Sequence, residues 1–372
     1  KLGEYLGVKY VSVVNSGSSA NLNAFMALTS PLLGDRRIRR GDEIITVAAG
    51  FPTTVTPAIQ YGVVPVFVDV TIPQYNIDVT QLEAALSDKT KVVMAAHTLG
   101  NPFDLSAVKT FCDKHNLWLI EDNCDALGSR FDGRLTGTWG DIGTSSFYPP
   151  HHMTMGEGGA AYTDNPLLKK IMLSVRDWGR DCWCESGKDN TCGCRFTKQY
   201  GSLPPGYDHK YVYSHFGYNL KASDMQAAIG CAQLEKLPDF VEKRKRNFRQ
   251  LHEALRGLPE LRLLEKYPES DPAWFGFLMT LTGEARFTRN ELARFLESRN
   301  IQTRNLFAGN LTRHPCFETL TPGVDYRIAG PLDATDRIMR DALWIGVYPG
   351  MTPEKLEYMA ESVRAFCRGE AR

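Results

Sequence analysis

Four cysteines crowd into thirteen residues of this chain, CWCESGKDNTCGC (182–194). Thiolates so closely spaced suit a metal ion or an iron–sulfur cluster. A fifth, Cys124, stands between carboxylates in LWLIEDNCDALGS (117–129). Tetrahedral zinc on Cys182, Cys184, Cys192 and Cys194 is the simplest local choice, although C-x-C is tighter than the usual zinc spacing. A disulfide scaffold is disfavoured in a chain of 372 residues with nine cysteines. Cys112, Cys231, Cys316 and Cys367 read as scattered thiols of a reducing, cytoplasmic environment.

Other residues offer acid–base and anion chemistry. Asp122 falls at the C-terminal end of an apolar run, a costly place for a carboxylate without a partner. A pyridinium nitrogen would be such a partner, because the carboxylate keeps it protonated; a helix cap is the plainer reading. SFYPPHH (146–152) carries two imidazoles, His151 and His152, with an ordinary pKa near ~6.5 that suits proton transfer. In NSGSSAN (15–21), Gly17 permits close approach to a helix N-terminus, and Ser18 and Ser19 add hydroxyls for a phosphate. Phe51 in AGFPTT (49–54) offers a face for a stacked ring, although by itself it reads first as a core aromatic.

These residues need a frame. YVSVVNSG, DEIITVAAG, VVPVFVDV, KVVMAAHTLGN, LWLIEDNCD, IGTSSFYPP and GGAAYTD read as strands, and their near-continuous apolar content suits a sheet buried on both faces. SSANLNAFMALTSP, DVTQLEAALSD and LSAVKTFCDKHN between them read as helices. The alternation predicts an α/β domain with a mostly parallel sheet, whose ligands lie beyond the strand ends. Residues 177–218 interrupt it with a long insertion rich in Cys, Gly, Tyr and His; such loops are usually functional. A helical pattern from SDMQAAIG onward leads out of a large domain (1–240) into a small C-terminal α+β domain (241–372).

Composition adds limits. The 43 basic and 43 acidic side chains cancel, so no global field favours nucleic acid or a membrane surface. No apolar run approaches the ~18 residues of a membrane-spanning helix. The chain opens inside an amphipathic pattern without methionine, so residues are expected to precede Lys1.

In this order and spacing, NSGSSAN, AGFPTT, LWLIEDNCDALGS, SFYPPHH, GEGGA and GYNLKASDMQAA resemble the sugar aminotransferases of the DegT/DnrJ/EryC1 family. These are fold-type-I, aspartate aminotransferase-like enzymes that use pyridoxal phosphate. The resemblance implies that Ser146 contacts the cofactor phosphate, Asp122 the pyridinium nitrogen and Asp125 the ring hydroxyl. It implies that Asn219 reaches the phosphate of a neighbouring subunit, hence a homodimer. Lys221 stands where the family usually has arginine.

His151 occupies the family's Schiff-base lysine position, and imidazole cannot form an imine with an aldehyde. The cofactor would then be pyridoxamine phosphate, held non-covalently, with His151 as base. Tyr148 would flank a leaving hydroxyl, and His152 would be a supporting or packing residue. Within the family the chain resembles the NDP-4-keto-6-deoxyhexose 3-dehydrases, whose C-x57-C-x-C-x7-C pattern Cys124, Cys182, Cys184 and Cys192 reproduce. That resemblance implies a [2Fe–2S] cluster, a CDP- or dTDP-sugar substrate, and a separate electron donor. The donor would be an NAD(P)H-dependent iron–sulfur flavin reductase or a ferredoxin/flavodoxin system. Tyr207, His209, Lys210 and His215 are candidates for the sugar pocket, and Cys194 is left as a spare thiol. An aminotransferase, an iron-free dehydrase and a catalytically silent cofactor-binding protein are the alternatives.

Overall fold

A computed structural model describes residues 1–185 and 187–370. Its main sheet has eight strands, in the order Tyr10–Val14, Gly159–Thr163, Ile142–Ser146, Trp118–Asp122, Thr90–Ala96, Glu43–Val47, Val64–Val68 and Arg327–Ile328. Gly159–Thr163 runs antiparallel to both neighbours, and every other pairing is parallel.

The Val/Ile runs are strands because both faces are covered, as the pattern predicted. Ile44, Val92 and Ile120 face one apolar layer with the helices Gly17–Ala27 and Pro166–Arg176. Their successors Ile45 and Val93, with Leu119, face the opposite layer, where Leu105–Lys114 packs. This is the two-residue period of a strand seen from both sides. DVTQLEAALSD gives only a short element, a 3₁₀ turn at Val79–Gln81 running into Leu82–Ala85. Leu86 then turns extended and ends it.

The C-terminal part forms an antiparallel sheet ordered Leu261–Leu263, Gly276–Leu281, Ala342–Gly346 and Thr303–Arg304. Helices Arg289–Ser298, Asp333–Asp341 and Pro353–Cys367 accompany it. The same part returns to the main sheet: Arg327–Ile328 forms its edge, fixed by a two-pronged pair from Arg327 to Glu43 at 2.8 Å on each oxygen.

One helix, Asp224–Leu255, joins the two regions, opened by a capping box of Ser223 and Gln226. Its buried stripe is Leu237, Val241, Arg244, Phe248, Leu251 and Leu255. Leu237 and Val241 pack with Phe147, Met153 and Met155 beside the main sheet. Phe248, Leu251 and Leu255 pack against the small sheet. Arg244 is thus carried between two apolar clusters.

The 177–218 segment leaves and re-enters the body at one place, where Asp177 bridges Asn219 and Arg180 bridges Tyr213. Gly179 makes this closure possible: at φ +80°, a Cβ there would lie 1.8 Å from the His215 carbonyl oxygen.

Candidate active site

The functional side chains meet in a cleft of 2230 Å³ between the C-terminal ends of the parallel strands and the small domain. Asp122 closes the strand Trp118–Asp122 and points a buried carboxylate into it. Two donors fix that group: Asn21 Nδ2 and Thr54 Oγ1 each reach Oδ2 at 2.7 Å. Asn21 is itself held by Thr144, which donates to its Oδ1 at 2.7 Å. The carboxylate is therefore oriented by two donors on one oxygen, in the wall of a cleft with room for a cationic partner.

Gly17 and Ser18 line the cleft at the N-terminus of Gly17–Ala27, where backbone N–H groups are free for an anion. A Cβ at Gly17 would fall 2.4 Å from Ser146 Cβ and 3.1 Å from Cys124 Sγ, so only glycine lets these elements touch. Ser19 has a different task. Its hydroxyl donates to Asn15 at 2.6 Å and its N–H to the capping Ser16 oxygen at 3.0 Å. Ser16, which the sequence reading did not single out, lines the cleft instead.

His151 lies on the loop after the strand Ile142–Ser146, edge-on to the half-exposed Tyr148 and tilted on Phe275 with ring centres 5.1 Å apart. Its Nδ1 faces Asp125 Oδ1 at 3.6 Å, too far for a hydrogen bond, and has no other partner despite being buried. Burial draws the imidazole down to about 4 against the opposing pull of Asp122. Burial, and next the Asp122 charge, push Asp125 up to about 8. Near neutral pH this is an uncharged imidazole beside a protonated carboxyl.

His152 is buried and bonded through Nε2 to the Ala273 carbonyl, as a packing residue would be. Phe51 is half exposed to the cleft and meets Phe307 edge-on at 6.0 Å, leaving a face free for a ring.

Arg244 was missed by sequence reasoning. From the buried stripe of the long helix it donates to the carbonyls of Pro150 and His151 at 3.1 and 3.2 Å, and to those of Trp274 and Phe275 at 3.3 Å. It therefore ties the His151 loop to the small domain. The signal was present in the sequence: Arg244 falls in the 4-3-4-3-4 spacing of Leu237, Val241, Phe248, Leu251 and Leu255, where charge without a partner is costly.

The cysteines divide. The ligand atoms of Cys182, Cys184 and Cys192 lie within 4.8 Å of one another, as do those of Cys192, Cys194 and His209. Cys124 belongs to neither group among the described residues; it lies in the cleft wall, where burial and then the Asp122 charge hold its thiol well above the usual range. Its place is set by the strand that carries Asp122, whereas the other sulfurs ride on the 177–218 segment. Within that segment a hydrogen bond from Thr191, joined by the Cys192 N–H at 3.4 Å, outweighs burial and draws Cys184 down to about 7.

Among the described residues, none of Tyr207, His209, Lys210 and His215 lines the cleft. His215 instead pins the segment to the body through Ser30 at 2.7 Å and Ser174 at 2.8 Å. Asn219 is exposed and outside its own cleft. Lys221 lies over the Trp178 ring, 3.4 Å from its centre.

Residues 1–364 match the DegT/DnrJ/EryC1/StrS aminotransferase family. The chain belongs to this family. Among DegT/DnrJ/EryC1/StrS relatives it is 59% identical over 367 residues to the lipopolysaccharide biosynthesis protein RfbH of Salmonella typhimurium, covering 98% of this chain and 83% of that protein. It is 53% identical over 366 residues to the dTDP-4-dehydro-2,6-dideoxy-D-glucose 3-dehydratase of Saccharopolyspora spinosa, covering 98% and 78%. A solved structure of the E. coli GDP-4-keto-6-deoxy-D-mannose-3-dehydratase with bound hydrated PLP superposes with a TM-score of 0.86 at 28% identity. That match covers 97% of this chain and 89% of the other. The expected fold-type-I architecture is thereby the observed one.

A pyridoxal-type cofactor fits the residues present. Asp122 is an oriented carboxylate, Gly17 and Ser18 offer an anion cradle, and His151 Nδ1 is a buried polar atom awaiting a partner. The donor chemistry of Cys182, Cys184 and Cys192 likewise fits a thiolate-bound metal centre.

Proposed function

We propose that the chain is a pyridoxamine-phosphate-dependent dehydratase that removes the C3 hydroxyl of a nucleotide-diphospho-4-keto-6-deoxyhexose. The observation that carries this reading is His151: a buried, neutral imidazole, not an amine, beside Asp122 and Asp125 in the cleft. The cofactor would supply the amine that condenses with a sugar ketone and a ring that accepts electron density.

The chain's own residues have separable tasks. Asp122, held by Asn21 and Thr54, would bind and orient the cationic ring nitrogen. The Gly17–Ser18 turn and Ser146 would hold the phosphate, and Phe51 would cover the ring. Protonated Asp125 can donate toward the ring hydroxyl. His151 takes a proton on its neutral ring and returns it to a departing hydroxyl, with Tyr148 beside it; such transfers contribute about 10²–10⁴-fold.

The reading extends to a [2Fe–2S] centre on Cys182, Cys184 and Cys192, with Cys124 as the fourth ligand by the sequence pattern; such centres pass single electrons. A reductase or ferredoxin-type partner would supply them, giving a 3-deoxysugar. A homodimer is supported by Asn219, which lies outside its own cleft, and by exposed apolar side chains near it in the sequence: Phe216 is 98% exposed and Met225 79%. No described helix is long and apolar enough to cross a membrane, and a cytoplasmic site fits the free thiols.

Anaerobic purification followed by measurement of iron, acid-labile sulfide and bound cofactor tests the reading. Iron, sulfide and non-covalent pyridoxamine phosphate are expected. Zinc without iron would sink the one-electron part, and a borohydride-fixed lysine adduct would sink the role of His151.

A further inference from the structure

His209 lies outside the cleft of its own chain, and its neighbours are cysteines. The ring is buried, with 2% exposure, and stacks on Tyr200 with centres 4.8 Å apart. Its Nδ1 lies 3.6 Å from Cys192 Sγ and 3.5 Å from Cys194 Sγ. On the opposite side, Nε2 meets Asp181 Oδ1 at 2.7 Å. The other Asp181 oxygen accepts the Ser214 hydroxyl at 2.5 Å. The His209 backbone N–H is tied to the Arg195 carbonyl at 2.8 Å, directly after Cys194. A carboxylate, an imidazole and two sulfurs are thus set in line, with the carboxylate itself anchored.

Such alignments fix ring orientation at metal centres, where a carboxylate holds the distal nitrogen of an imidazole. With Nε2 held by the Asp181 carboxylate, the ring's orientation is fixed and Nδ1 is presented to both sulfurs. Hydrogen bonds to ligating sulfur are among the protein's controls over the reduction potential of an iron–sulfur centre. A donor there stabilises the reduced form, which carries one more negative charge.

We propose that Asp181 and His209 form the positioning element of the thiolate centre, with His209 hydrogen-bonded to Cys192 and Cys194 and setting the centre's potential. This rests on the reading that the cysteine segment binds iron and sulfide, and it assigns His209 to that centre as a positioning residue.

The test uses the whole chain, reconstituted without oxygen with ferrous iron and sulfide. His209→Phe keeps the stack on Tyr200 and removes the sulfur contact; His209→Gln retains a donor; Tyr200→Phe is the control. The expected result is wild-type iron and sulfide content in His209→Phe, a more negative midpoint potential and an altered EPR spectrum, with partial return in His209→Gln. Should His209→Phe hold no centre, Asp181→Asn, which keeps the side-chain volume, carries the test with a shift of the same sign. A potential and spectrum unchanged in both His209→Phe and Asp181→Asn would overturn the proposal.

Cobalt(II) added to iron-free protein separates this from the underlying reading. Thiolate-to-cobalt bands that change in His209→Phe would uphold the positioning role even if the wild type assembled no iron–sulfur centre. The same bands unchanged would overturn it.

Discussion

His151 Nδ1 faces Asp125 Oδ1 across 3.6 Å without a hydrogen bond, and both groups are uncharged near neutral pH. The imidazole is therefore free to accept a proton. His151→Asn should lower kcat by about 10²–10⁴-fold while the affinity for pyridoxamine phosphate, read by absorbance titration, stays within a few-fold. His151→Lys should create a borohydride-reducible lysine adduct and favour amine transfer over dehydration. An unchanged spectrum and product would contradict the assignment.

The same imidazole makes stability depend on pH. In the unfolded chain it takes up a proton near its ordinary value of 6.5, but in the folded protein only at about 4. Between these values the unfolded state binds more protons, so stability falls as pH drops through the window. The interval corresponds to ~3 kcal/mol. His151→Gln should therefore lose less melting temperature between pH 7 and pH 4.5 than the wild type. An equal loss in both would show that other groups, His152 among them, carry the effect.

Neighbouring serines should separate by assay. Ser18 lines the cleft, so Ser18→Ala should weaken cofactor binding several-fold and leave the melting temperature alone. Ser19 serves the helix start through Asn15 and Ser16, so Ser19→Ala should cost about 1 kcal/mol of stability with cofactor affinity nearly unchanged. Gly17→Ala, which forces a Cβ against Ser146, should lose cofactor affinity at least ~10-fold if close approach there forms the phosphate cradle. A reversed pattern for the two serines would disprove the division.

Arg244 holds four carbonyls from two regions of the chain. Arg244→Met leaves them without their donor and should destabilise by about 2–4 kcal/mol. Hydrogen exchange should rise at residues 150–152 and 273–275 together. Faster exchange on one side alone would mean that the guanidinium does not couple the loop to the small domain.

The parallel sheet was legible because a strand covered on both faces must be apolar throughout, and Ile44–Ile45 and Val92–Val93 read that way. Asp122 was legible because a carboxylate closing such a strand needs a partner, and His151 because an imidazole stands where an amine was expected. Arg244 could have been found from its place in an apolar stripe.

What sequence spacing could not supply is proximity between segments far apart in the chain. The pattern groups Cys124 with Cys182, Cys184 and Cys192; the folded chain carries Cys124 in the cleft wall beside Gly17 and Ser146 and holds the other three together on the 177–218 segment. His209 was grouped with the sugar pocket by its aromatic neighbourhood, yet folding sets it between Asp181 and two sulfurs. Local sequence determines what each residue can do, because propensity and chemistry are local. Only the tertiary structure decides which residues act together, because a loop closed at Asp177 and Asn219 can bring its interior into many arrangements, and packing selects one.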